Sequence, residues 1–122
     1  MLQIEAEMKA AFAPFLENGF SYRYTYEKGG DSSCVYIHRF QKGKDFFDLR
    51  EVSGGEELNF VVYAGGIYDF PLLKRLYPKD FSAFQRKHFF RKPTKVEKRA
   101  FFAEVLKKHL AQNEDFFGIE TK

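Results

Sequence analysis

The chain has 122 residues, 44% of them hydrophobic and 30% charged, with a net charge of +3 and 16 Phe, 7 Tyr and no Trp. That length fits one domain, residues 1–122, with room for one core, and the aromatic content excludes a disordered tail. The apolar runs fall far short of the ~20 residues of a membrane span, the acidic Met1–Glu7 start is unlike a secretory signal, and the single Cys34 excludes an internal disulfide, so a cytoplasmic protein is expected.

In chain order, Ile4, Met8, Ala11, Phe12, Phe15 and Leu16 follow helical spacing and predict a helix over 3–17. Pro14 should kink it or tighten its last turn, and Asn18-Gly19 should stop it. Tyr22, Tyr24 and Tyr26 then alternate with polar residues from Phe20 to Glu27, the period of a strand. Residues 34–40 read as a second strand, Asp45 to Val52 as a third and Leu58 to Ala64 as a fourth. Turn signals separate them at Gly29–Ser33, Gln41–Lys44 and Ser53–Glu56, and Gly65-Gly66 is read as the end of the fourth strand. Short turns imply antiparallel neighbours.

Beyond Gly66 the period becomes helical. Leu72, Leu73, Leu76 and Tyr77 suggest a short helix between Pro71 and Pro78. Asp80 is placed as the cap of a further helical segment carrying Phe81, Phe84 and Phe89 or Phe90, and Lys92-Pro93 breaks the chain. Thr94 and Glu97 fit a capping box, opening a helix to about Gln112 with Phe101, Phe102, Val105, Leu106 and Leu110 on its apolar side. Phe116-Phe117 in the tail is expected to dock. The fold class expected is α+β: a four-stranded antiparallel meander with an N-terminal helix and C-terminal helices packed on one face. Phe47, Leu49, Phe60 and Val62 are expected beneath the first and last helices.

The chemistry-bearing residues exclude more than they offer. His38, His88 and His109 lie far apart, and Cys34 with His38 on one strand face makes at most half a metal site, so neither metal nor cofactor is expected. No nucleophile, zinc-protease or phosphate-loop motif is present. An acid–base site stays open where Tyr36, His38 and Asp48 or Arg50 would meet on the sheet.

Two binding surfaces remain. One is a mixed aromatic and charged sheet face with Tyr36, His38, Phe40 and Arg50, a composition suited to a protein partner. The other follows from charge asymmetry. Residues 1–73 hold 7 Lys/Arg against 11 Asp/Glu, whereas residues 74–109 hold 12 against 3. Arg86, Lys87, Arg91, Lys92, Lys95, Lys98 and Arg99 interleave with aromatics within 86–99, which suits phosphate contact and base stacking. It equally suits a solvated helical face.

The stretches Val35–Lys42 and Asn59–Tyr68, with the helix and Asn18-Gly19-Phe20 ahead of them, resemble strand segments of small uncharacterised bacterial domain-of-unknown-function families over residues 8–77. That resemblance implies no enzymatic activity and no site residues, and by fold-level analogy a toxin-immunity role. A non-enzymatic protein-binding domain, monomeric or homodimeric and without membrane contact, is therefore expected. Nucleic-acid binding through segment 86–99 is the alternative.

Overall fold

In the computed structural model, which describes residues 3–28, 34–52, 58–69 and 72–112, with the side chains at 27, 28, 34 and 52 excepted, the N-terminal apolar stripe forms two helices. These are α1 (Gln3–Ala11) and α2 (Ala13–Glu17), separated at Phe12. Pro14 causes the break: it occupies the first turn of α2, where its missing N–H goes unneeded, and could not continue α1. Asn18-Gly19 ends α2 in a Schellman motif. Gly19 has φ +89°, the Phe20 N–H donates to the Phe15 carbonyl at 3.0 Å, and the Gly19 N–H donates to that of Leu16 at 3.4 Å. The accompanying apolar contact is the Phe15–Phe20 ring pair, edge-on at 5.1 Å.

Five strands follow: β1 (Ser21–Lys28), β2 (Cys34–Lys42), β3 (Asp45–Val52), β4 (Leu58–Ala64) and β5 (Ile67–Asp69), antiparallel throughout and adjacent in chain order. The expected count of four is corrected by Gly65-Gly66. Both glycines have positive φ, +61° and +82°, the requirement of a two-residue type I′ hairpin, so the chain reverses there instead of leaving the sheet. Ala64 pairs with Ile67 across that turn.

The helices α3 (Leu72–Leu76), α4 (Pro78–Lys87) and α5 (Lys95–Gln112) complete the fold. Asp80 is not the cap of α4. The helix starts three residues earlier, with Tyr77 at the cap and Pro78 pre-set in the first turn. The box at α5 forms as its spacing dictates: the Thr94 N–H donates to Glu97 Oε1 at 3.0 Å and the Glu97 N–H to Thr94 Oγ1 at 3.1 Å.

One face of the sheet carries the core. Met8, Phe12, Phe15 and Phe20 pack over Phe40, Phe47, Leu49, Phe60 and Val62, with Leu72, Leu73, Val105 and Leu106 closing the cluster. Phe47 is the centre: its ring lies within 6.2 Å of those of Phe12, Phe15, Phe20, Phe40 and Phe60. The helix α4 is a second tier; Phe84 stacks on Phe101 of α5 at 4.3 Å. The turns read at 29–33 and 53–56, Pro71 and the Phe116-Phe117 pair lie outside the described residues.

Register overturns one grouping made from the sequence. Phe40 pairs with Phe47, His38 with Leu49 and Tyr36 with Glu51, and directly opposed residues share a face. Tyr36, His38 and Phe40 therefore belong to the helix-covered side. Arg50, paired with Ile37, points to the other side.

Candidate functional site

The sheet-face group Tyr36, His38, Phe40 and Arg50 is thus not one surface. Phe40 and His38 are wholly buried and Tyr36 is half-buried on the helix side. Arg50 lies across the sheet with Asp48, so the acid–base convergence envisaged for Tyr36, His38 and Asp48 or Arg50 does not form.

His38 instead joins a buried polar chain. The Tyr22 hydroxyl lies 2.8 Å from His38 Nδ1, and His38 Nε2 lies 3.4 Å from Glu51 Oε2. Tyr24 stacks on the imidazole at 4.9 Å. Glu51 Oε1 is 3.1 Å from Arg99 Nε without hydrogen-bond alignment, so this link is ionic, and Arg99 Nη1 reaches Glu7 at 3.5 Å. Burial pushes the Glu51 carboxyl up, but the hydrogen bond to His38 and the charges of His38, Arg99 and Lys95 outweigh it and hold the group below the usual range. Burial, followed by the charge of Glu5, pushes the Tyr22 phenol well above its ordinary value. The chain ties β1, β2 and β3 to α1 and α5.

On the opposite face, Asp48 is wholly buried and takes the fork of Arg39 at 2.8 and 2.9 Å and Arg50 Nη2 at 3.2 Å. The Arg39 guanidinium lies 3.8 Å from the centre of the Phe46 ring.

The strongest surface feature is the corner between α4 and α5. The helix α4 ends in i→i+3 bonds, from the His88 N–H to Gln85 and the Phe89 N–H to Arg86. Pro93 holds residue 92 out of helical conformation, so the chain crosses 88–94 without regular structure. Glu97 gathers both ends of this crossing. Besides capping α5, it receives both arms of the Arg91 fork at 3.1 Å and lies 3.7 Å from His88 Nε2. The hydrogen bond from Arg91, then that from the Thr94 N–H, holds the Glu97 carboxyl down at about 2. His88 is tucked against Phe84, its ring 4.6 Å away.

This tied loop presents Phe89 at 77% and Phe90 at 96% exposure, edge to face at 4.9 Å. Val96, in the first turn of α5, is 65% exposed as well. The expectation that the helix through Phe81 and Phe84 also carries Phe89 or Phe90 is therefore corrected: α4 ends at Lys87, before both.

The basic segment is not one continuous face. Arg86, Lys87 and Lys92, within three residues of the pair in sequence, are exposed, and Arg91 is exposed but committed to Glu97. Lys95 and Lys98 are half-buried on α5, and Arg99 turns inward to Glu51. Among the described residues, no three His, Cys, Asp or Glu side chains converge as metal ligands, and no helix is long and apolar enough to cross a membrane.

No protein-family model, curated protein or solved structure matches the chain. Function is therefore read from its own geometry.

The exposure of Phe89-Phe90 and the partners of His38 go beyond what the sequence reading expected. A signal for the first existed: Phe89-Phe90 sits between the α4 stripe and Pro93, where neither helix can carry it inward. Strand alternation put Tyr22 and His38 on faces that only register could join.

Proposed function

We propose that the chain is a non-enzymatic binding protein that docks onto another protein through the α4–α5 corner, with Phe89 and Phe90 as the anchor. The carrying observation is that these two rings are 77% and 96% exposed on a loop fastened at both ends. Burying a Phe side chain is worth roughly 1.5–3 kcal/mol, and exposed apolar patches with polar rims mark interaction sites. The Arg91–Glu97–Thr94 tie supports a pre-set shape, which lowers the ordering cost of binding. Arg86, Lys87 and Lys92, exposed and flanking the pair in sequence, favour a partner with an apolar pocket and an acidic rim.

Nucleic acid is the second reading, supported by those same three cations beside aromatic rings. Protein is favoured because Arg91 and Arg99 are committed to carboxylates, and because the edge-to-face ring pair has one face already occupied.

The test replaces both rings by serine, F89S/F90S. The variant should unfold at the same denaturant concentration as the parent and lose a partner captured by mild crosslinking in the native cell. Undiminished capture would overturn the reading. So would oligonucleotide binding that is tighter than about 10⁻⁴ M, falls steeply with salt and is abolished by R86E/K87E.

A further inference from the structure

The sheet ends in two unlike strands. At one side β5 is three residues long and follows a tight turn, a short edge of the kind that discourages further pairing. At the other, β1 runs for eight residues and pairs with β2 without a bulge, residue for residue from Ser21↔Gln41 to Lys28↔Cys34. It contains no proline. Among the described residues β1 has no strand partner besides β2, so its outer N–H and C=O groups face no further strand there. Ser21, Arg23 and Thr25, on the side away from the helices, are exposed, and Tyr26 on the helix side is 52% exposed.

An open edge of this length is a template for one more strand, and the side chains of β1 match a second β1. Two identical antiparallel strands related by a two-fold axis need one residue opposite its own copy. With Arg23 on the axis, two guanidinium groups are opposed. With Tyr24 there, Arg23 meets Thr25 and Ser21 meets Glu27, so neither charge is answered. With Tyr26 there, Thr25 meets Glu27 and Tyr24 meets Lys28. With Thr25 there, Arg23 meets Glu27, Tyr24 meets Tyr26 and Tyr22 meets Lys28, and the symmetry makes each of these pairs twice. Opposite charges and aromatic pairs across strands are favourable, whereas like charges directly opposed are not. The Tyr24–Tyr26 pairs would also extend an existing row of rings, since Tyr36 lies 6.0 Å from Tyr24 and 5.3 Å from Tyr26.

We propose that β1 is a dimerisation edge, at which two copies of the chain pair antiparallel through residues 22–28 with Thr25 on the axis. Each copy uses the same surface, so the assembly closes at two and does not grow into a filament. The α4–α5 corner takes no part in this pairing, and a dimer therefore carries the Phe89-Phe90 pair twice.

The test is analytical ultracentrifugation of the full chain over a range of concentrations. The parent should pass from monomer to dimer below about 1 mM. Arg23→Glu and Glu27→Arg each oppose like charges at both symmetry-related pairs, and each should weaken dimerisation by about tenfold or more. The swap R23E/E27R restores opposite charges and should recover the dimer. Arg23 is exposed, so its replacement should leave the fold intact, which urea unfolding of each variant checks. Amide exchange along β1 should slow at concentrations where the dimer forms. F89S/F90S should dimerise as the parent does, which separates this edge from the docking corner. A parent that stays monomeric up to about 1 mM would overturn the proposal. So would dimerisation unmoved by either single reversal, a swap that fails to recover the dimer in a folded chain, or loss of the dimer in F89S/F90S.

Discussion

Removing Glu51 should be among the most destabilising single changes to a charged residue in this chain. The side chain is 11% exposed, and it sits between His38, at 0%, and Arg99, at 18%. At 3.1 Å and an effective dielectric constant of ~20, its attraction to Arg99 is about 5 kcal/mol before desolvation is subtracted. Desolvation offsets much of that gain while the pair is intact. Once Glu51 is gone the cost of burying Arg99 stands alone, and breaking a buried pair typically costs about 3–5 kcal/mol. Glu51→Ala should therefore lose about that much in urea or guanidinium unfolding at neutral pH. Glu51→Gln keeps the shape and a hydrogen bond for His38, and should lose less. Replacing both partners, E51L/R99M, should recover most of the loss, because no buried charge is then left behind. The link from Arg99 to Glu7 contributes little, since Glu7 is half exposed. The reasoning fails if Glu51→Ala costs below about 1 kcal/mol, or if the double variant is no more stable than the single one.

Phe47→Ala, at the centre of five ring contacts, should cost about 3–5 kcal/mol, whereas Phe90→Ala should stay within about 0.5 kcal/mol; chemical denaturation of the two variants side by side checks the contrast. Thr94→Ala should cost about 1 kcal/mol through loss of the α5 cap, read in the same assay. Gly66→Ala places a side chain at φ +82° and should cost about 1–2 kcal/mol, with the amides of the β4–β5 turn shifting in NMR spectra. Acid should destabilise the fold through Glu51 and Glu97, whose folded pKa values are depressed from 4.5, that of Glu97 to about 2. Depression means that their contribution is full above about 4.5 and is lost as pH falls toward the folded values. Unfolding midpoints measured from pH 6 down to pH 2 should drop across that window, and less steeply in Glu97→Gln.

The local elements are legible in the chain because their causes are local. Helical spacing and Asn18-Gly19 set the first helix and its end, and period-two alternation set the strands. Thr94 with Glu97 set the start of α5 to within a residue. Phe47, Leu49, Phe60 and Val62 share the strand period, but Phe46 and Val61 beside them are apolar and buried as well, so alternation alone did not decide which side the helices cover. Gly65-Gly66 shows where local evidence ends: two glycines permit both a strand end and a I′ hairpin, and the pairing of Ala64 with Ile67 decides between them. Cross-strand register and the packing angle of α4 on α5 are not local properties. Register put His38 and Phe40 beneath the helices and Arg50 on the far side, because opposed residues share a face whatever their own polarity. Tertiary packing alone brought Arg99 to Glu51, across 48 positions of sequence.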